Sequence, residues 1–361
     1  MRIVFTVTNE LTYDQRMHRI CETLALQGHA VTLVGRRYKN SPSFDPKQYT
    51  YKRLHCFFKK GKLFYAEYNL RLFFYMIFKK LDIVCSIDLD TLLPGYLISK
   101  WRHKKLVYDA HEYYTGVIEL AGRKSVYRFW KGLEAWIVPQ LTYAYTVNES
   151  IAKLYQEEYN VSFNVIRNVP LLKNSISAKG DPGLPLIYVG AVNAGRGLEE
   201  IIHAMVHLDT QLIICGDGDI LPELKTLSQS LNLDHKITFT GYQQPEELRK
   251  LLSEASIGLN LLKNESVSYY YSLANKFFDY MHAGLPQVTM NFPEYMLINE
   301  QHSIAITIDL NVDEIIKAVE RLQQDQSLYN RLRSNALIAK EQFNWEEESK
   351  RLISFYEAIK P

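Results

Sequence analysis

Two regimes of apolar spacing alternate along the chain. Short continuous apolar runs at Ile3 to Val7, Ala30 to Val34, Ile83 to Ile87, Leu106 to Tyr108 and Ala144 to Val147 predict strands buried on both faces. Between them, apolar residues recur at helical spacing: Met17, Ile20, Cys21 and Leu24 before Gly28, and Phe129, Leu133 and Trp136 along 125–138. Strand, loop, helix and strand within about thirty residues make a βαβ unit. A helix spans 91–99 with Asp90 as its N-cap, Asn148 caps another, and Phe163 to Ile166 closes this sheet. A second series follows at Leu186 to Val189, Leu212 to Cys215, Ile237 to Phe239, Ile257 to Leu261 and Gln287 to Met290, several of them ending in glycine. The tail is helical, with Ile315, Val319 and Leu322 on one face, then Leu352, Phe355, Tyr356 and Ile359 on another. The pattern predicts an α/β chain of two doubly wound parallel-sheet domains. Pro170, Gly180, Pro182, Gly183 and Pro185 mark a linker. The boundaries expected are 1–170, a linker 171–185, and 186–343 with a last helix over 344–361.

Composition narrows this picture. With 361 residues and 47% hydrophobic content, two sizeable cores can be buried. A net charge of +2 implies no general affinity for polyanions, and no motif points to nucleic acid. Cys21, Cys56, Cys85 and Cys215 lack metal spacing, and Cys85 and Cys215 read as core thiols of a reducing cytoplasm. Met1 to Val7 reads as a strand, so no signal peptide is expected, and no run reaches transmembrane length. The first loop carries no G-x-G-x-x-G, so a nicotinamide fingerprint is missing.

Candidate chemistry gathers at strand ends and helix starts. The stretch Ser272 to Pro286 reads as a helix with Leu273, Phe277, Tyr280 and Met281 apolar and with Asn275, Lys276 and Asp279 off that face. It is either an amphipathic surface helix or half of a nucleotide-diphosphate site, with a lysine beside helix N–H groups and a carboxylate for ribose. The loop Gly190-Ala-Val-Asn-Ala-Gly-Arg-Gly197 brings glycines and Arg196 to another helix start, and Gly216 follows the next strand. Asp109, His111 and Glu112 follow the strand at Leu106, at the end where open sheets bind ligands. Asp88-Leu-Asp90 is a weak D-x-D; metal binding is rejected and Asp88 is kept as a cleft residue. Asp14 and Arg16 begin a helix; Arg16 is read as part of its solvated first turn, and Asp14 as either cap or cleft edge. Segment 51–80 mixes cations such as Lys59, Lys60 and Lys62 with many aromatics. It is either a membrane-surface element or a core helix with lysines turned outward.

Several of these segments together resemble the GT-B glycosyltransferases, specifically family 4. Lys276-Phe-Phe-Asp-Tyr-Met-His-Ala-Gly-Leu-Pro286 is similar to that family's K-x-x-E-Y-M-x-x-G-x-P segment, and Tyr108-Asp-Ala-His-Glu112 to its Y-D-x-H-E segment. Thr146 to Glu149, Arg167 to Pro170, Arg196-Gly-Leu198 and Phe343 to Glu346 match further landmarks in the same order. The resemblance implies two Rossmann-like domains facing across a cleft, with the last helix crossing back to the first domain. It implies retaining, metal-independent sugar transfer from a nucleotide-diphosphate sugar, which is a co-substrate, with no cofactor. The first domain would hold a glycan or lipid-linked acceptor, with Asp14, Asp88 and Glu112 at its cleft. The second would hold the donor through Gly190, Arg196, Gly216, Tyr242, Asn275, Lys276 and Asp279. The resemblance places Arg196 and Lys276 on the diphosphate, Asp279 on the ribose, Tyr242 near the base and His111 near the transferred sugar. Surface polysaccharide synthesis in the cytoplasm, with peripheral membrane contact through 51–80, is the expected setting. Asp279 stands where the family usually has Glu, and Tyr271 where many members carry a second Glu. A GT-B sugar-nucleotide epimerase and a catalytically degenerate sugar-nucleotide-binding partner are the alternatives.

Overall fold

A computed structural model of the chain describes residues 1–39, 41–42, 48–120, 122–172 and 176–359. It divides into two compact units, Met1–Asn168 with Glu348–Pro361, and Val169–Glu347. Of the expected linker, residues 173–175 lie outside the described residues, as do 360–361 of the last helix.

The first unit runs β1 Arg2–Glu10, α1 Gln15–Leu26, β2 Ala30–Arg37, β3 Thr50–His55, α2 Gly61–Phe78 and β4 Ile83–Ile87, then α3 Leu89–Trp101, β5 Lys105–Ala110, α4 Lys124–Ile137, β6 Tyr143–Thr146, α5 Glu149–Tyr159 and β7 Asn164–Val165. Its parallel sheet has the order β3-β2-β1-β4-β5-β6-β7. The chain steps outward from β1 to β3, returns to β4 beside β1, and steps the other way. Right-handed crossovers therefore put α1 on one face and α2 to α5 on the other. Every residue of β4 is buried, and so is most of β1, as two-sided cover requires. The point where the direction reverses lies between β1 and β4, and it selects the carboxyl ends of β1, β4 and β5 as the place for a ligand.

The second unit runs β8 Leu186–Val189, α6 Leu198–Ala204, β9 Leu212–Cys215, α7 Leu221–Ser230, β10 Ile237–Gly241, α8 Pro245–Ser253 and β11 Ile257–Asn260, then α9 Val267–Tyr270, α10 Asn275–Ala283, β12 Gln287–Met290, α11 Pro293–His302, β13 Ala305–Ile308, α12 Val312–Gln324 and α13 Gln326–Ala339. Its parallel order is β10-β9-β8-β11-β12-β13, reversing between β8 and β11. A last helix, α14 Trp345–Glu357, contributes most of its length to the first unit. There Phe355 meets Tyr145 edge-on with ring centroids 5.2 Å apart, and Tyr356 packs near Phe5.

Four expectations change. Segment 51–80 is not one element: β3 occupies its start as an edge strand, and α2 the rest. α4 buries Trp130, Leu133, Glu134 and Ile137, while Phe129 and Trp136 face solvent. The polar Glu134 is drawn inward because it accepts hydrogen bonds from Thr115, Lys131 and Tyr159, which repays its desolvation. Asp90 is not the cap of α3: Asp88 stands at that position, and Asp90 lies inside the first turn with its carboxylate accepting the Thr8 hydroxyl at 2.7 Å. Finally, α10 is not a surface helix, since Lys276 to Phe278 and Tyr280 to Ala283 are all buried.

Candidate functional site

Two clusters occupy the carboxyl ends of the two sheets, and each is described within its own unit. In the second unit the loops after β8 and β9 are laced together. The Gly190 N–H donates to the Cys215 carbonyl at 2.9 Å, and the Val192 N–H to the Asp217 carbonyl at 2.9 Å. Gly216 (φ 154°) lies so close that a Cβ there would stand 1.8 Å from the Gly190 oxygen. This contact explains Gly216 in physical terms, since only bare backbone lets the loops touch, and Gly190 is called for by its own φ of 133°.

Lys276 reaches into this cradle from the first turn of α10. Its Nζ lies 3.6 Å from the centroid of the Tyr188 ring, and a Cβ placed on Gly190 would sit 3.5 Å from it. Tyr188 is held in turn by its hydroxyl, which donates to the Ala191 carbonyl at 2.7 Å. Burial and the neighbouring Arg196 guanidinium pull the Lys276 ammonium well below its ordinary value, against the pull of Asp279. Arg196 lies over the Tyr269 ring at 5.0 Å, and its Nε is buried without a hydrogen-bond partner among the described residues. The N-cap of α10 is Ala274, which offers no side chain to the first N–H groups. Two cations, a bare helix start and a glycine cradle thus converge. The arrangement is suited to an anion with several oxygens, because helix N–H groups and cations both favour negative charge.

Of the residues expected on this side, the structure brings Gly190, Arg196, Gly216 and Lys276 together. Asn275 is the exposed first residue of α10, and Asp279 lies one turn further on. Tyr242 follows β10, two strands from β8, and is 57% exposed. Tyr188 and Tyr269 escaped notice in the sequence. Tyr188 sits in an apolar run, where a tyrosine reads as core, and only the helix packed beside it shows that its face carries a cation.

In the first unit the cluster is built on β4, β5 and α1. His111 follows β5 and lies between two carboxylates: Nε2 is 3.2 Å from Asp109, and Nδ1 is 3.7 Å from Asp88. The His111 backbone N–H also donates to Asp88 Oδ1 at 2.8 Å. Asp88 adopts a left-handed backbone, φ 55°, which is unusual for a residue other than glycine and marks stored strain. Behind it, Arg16 donates to Asp109 at 3.0 Å and to the Ile166 carbonyl at 3.0 Å. The solvated reading of Arg16 is therefore corrected: it is 4% exposed, because the buried Asp109 carboxylate needs a cation beside it. Asp14 is the N-cap of α1, accepting from the Met17 N–H at 3.1 Å. Glu112 is exposed, yet near enough to Asp88 for its charge to help raise that carboxyl. Asp109, given no role of its own in the sequence, and Asp90, read there as a helix cap, both belong to this cluster.

Protonation follows from this crowding. Burial opposes charge on His111, but Asp109 and Asp88 outweigh it and raise the imidazole to about 9. Burial pushes Asp88 upward, and burial with Asp88 lifts Asp90 to about 7. Burial acts on Asp109 the same way, yet Arg16 and His111 hold it below the ordinary range. A histidine raised above its unfolded value, about 6.5, adds stability that is complete below that pH and is lost as pH rises through about 9. His111→Asn should therefore melt lower than the parent chain near pH 6, with the gap closing by about pH 10. Melting curves across that range check this; a gap of constant size would deny the ion pairs any part in stability.

Comparison with known proteins bears on both units. The glycosyl transferases group 1 family matches residues 174–338, and glycosyltransferase family 4 matches residues 15–170. An uncharacterized glycosyltransferase of Methanocaldococcus jannaschii is 25% identical over 190 residues, covering 51% of this chain and 47% of that protein. The chain spans less than half the length of the curated relatives it matches. Among solved structures, the sucrose-phosphate synthase of Thermosynechococcus elongatus superposes with a TM-score of 0.82 at 16% identity, over 99% of this chain and 98% of that one. HepE of Anabaena, in complex with UDP-glucose, superposes with a TM-score of 0.75 at 14% identity, over 99% of this chain and all of that one. These likenesses are to the fold. With two family models covering its two units in sequence order, the chain belongs to the GT-B glycosyltransferases of the group 1, family 4 type.

Proposed function

We propose that the chain transfers a sugar from a nucleotide-diphosphate sugar to a glycan or lipid-linked acceptor, with retention of anomeric configuration and without metal. The observation that carries this reading is the crowding of Lys276 and Arg196 beside the start of α10. Two like charges held together in a partly buried place are costly, and a diphosphate between them turns that cost into attraction. As the sugar departs, negative charge grows on the diphosphate, and donors already aimed at it lower the barrier. Asp279 takes the ribose in this reading. Asp88, His111 and Asp109 serve the sugar and acceptor side, with Asp14 and Glu112 nearer solvent. In this reading charge neutralisation falls to the two cations, Lys276 and Arg196. HepE, solved with UDP-glucose, makes a uridine donor the first to try.

Surface polysaccharide assembly, with membrane contact through 51–80, completes the proposal. Among the described residues no helix is long and apolar enough to cross a membrane. The reading is tested by thermal shift against UDP, GDP, ADP and dTDP sugars, with and without EDTA. A donor at a hundred times its dissociation constant adds about 2.7 kcal/mol. One base raising the melting temperature equally with and without EDTA is expected. A shift that EDTA abolishes would overturn the metal-independent part, and no shift from any donor would overturn the site. The anomeric configuration of the product, read by NMR, decides retention.

A further inference from the structure

The helices covering one face of the first sheet carry more apolar surface than the sheet can bury. α2 turns Phe64, Tyr68, Leu72 and Met76 inward. At helical spacing on its other side it presents Leu70, Phe74 and Phe78 to solvent, Phe78 being 85% exposed. On α3, Trp101 is 64% exposed, one turn after the exposed Leu97. α4 adds Phe129 and Trp136, at 60% and 50%. A helix apolar on both sides ordinarily lies inside a core, yet no described element of this unit covers these outer stripes.

The stripes form one surface. Arg102, just after α3, donates to the Met76 and Lys79 carbonyls, both at 2.7 Å, tying the ends of α2 and α3 together. Tyr96 of α3 meets Trp136 edge-on at 5.3 Å, and Tyr65 of α2 meets Trp130 of α4 at 5.4 Å. The surrounding charge is positive: Lys80 and Lys100 are exposed beside Phe78 and Trp101, and Arg128 is exposed on α4. Acids of the same stretch are engaged, Glu67 with Arg71 and the Phe57 and Phe58 N–H groups, and Asp82 with Arg2.

We infer that this three-helix face seats the chain on an anionic lipid bilayer, with Phe78, Trp101 and Trp136 at the headgroup–acyl boundary and the surrounding cations on lipid phosphates. Exposed aromatics ringed by lysine and arginine fit that boundary, where apolar insertion and charge attraction add. A protein partner would favour a patch depleted of lysine. The inference rests on the reading of the chain as acting on a membrane-borne acceptor. It departs from contact through 51–80 alone by placing half of the surface on α3 and α4.

The test is sedimentation of the full chain with vesicles of equal parts phosphatidylglycerol and phosphatidylcholine, and with phosphatidylcholine alone. Binding to the mixed vesicles only is expected. The double variant Trp101→Gln, Trp136→Gln should bind them at least about tenfold more weakly, while keeping its melting temperature and its thermal shift with UDP-glucose. Because Trp130 and Trp345 are buried, quenching of tryptophan fluorescence by brominated lipid reports on Trp101 and Trp136 in the unaltered chain, and is expected. Absence of binding, absence of quenching, or full binding by the double variant would overturn the inference. So would light scattering that shows a dimer dissociated by the two changes, because the face would then join two copies. Vesicle binding without any nucleotide-sugar shift would sink the donor site and leave the lipid face standing.

Discussion

Lys276→Ala is expected to lower turnover by on the order of a hundredfold or more, with no loss of melting temperature. The two halves of this result come from one fact. The ammonium is buried on the Tyr188 ring beside Arg196, so in the unliganded chain it is a cost to the fold. Removing it relieves like-charge repulsion. In the proposed transfer the same charge faces a leaving group that gains negative charge, and a donor aimed there beforehand has its greatest effect at that moment. A steady-state assay with the best donor, paired with melting curves, separates the two. An unchanged rate would remove Lys276 from the chemistry. A lost rate accompanied by a much lower melting temperature would mean that the lysine holds the fold.

Gly216→Ala is expected to damage the proposed donor site from the opposite direction, through backbone and not charge. The new methyl would stand 1.8 Å from the Gly190 oxygen, and no side-chain rotation can relieve a clash with backbone. The loops after β8 and β9 must part, and forcing a group into a filled place costs about 1–3 kcal/mol. The backbone at φ 154° adds strain for any residue with a Cβ. If the displaced Gly190 loop carries that loss into binding, donor affinity falls at least about tenfold, since about 1.4 kcal/mol is a factor of ten. Titration with UDP measures it. Full affinity in the variant would show that the loops need not touch to bind the donor.

How far the sequence could be read depended on how many faces each element buries. Strands such as Ile83–Ile87 and Leu186–Val189 are covered on both sides, so their apolar runs are continuous and legible. β3 is an edge strand with three exposed residues at its start, and its alternation was lost among the cations of 51–80. In α4 the aromatic spacing pointed to Phe129 and Trp136, but Glu134 took the inward place because its hydrogen bonds are satisfied there. The proposed donor site was legible as residue types at a strand end and a helix start: Gly190, Arg196, Gly216 and Lys276 do meet. What the spacing could not show was burial. Lys276 and Arg16 looked solvated because lysine and arginine usually are; each lies inside because a ring face or a carboxylate receives its charge. The Asp88 clamp on His111 depends on a strained backbone that no residue pattern encodes.

The first unit is assembled from two separate stretches of chain: Phe5 of β1 and Tyr145 of β6 are roofed by Tyr356 and Phe355 of α14, which come after the whole second unit. Domains fold as units while the chain is being made. During synthesis, then, Phe5 and Tyr145 of the unit encoded first stay without these partners until α14 has emerged. The second unit, from Val169 to Glu347, is complete sooner. The first unit thus completes its packing only after the whole second unit has been made, and through that interval Phe5 and Tyr145 are apolar surface on which a chaperone can act.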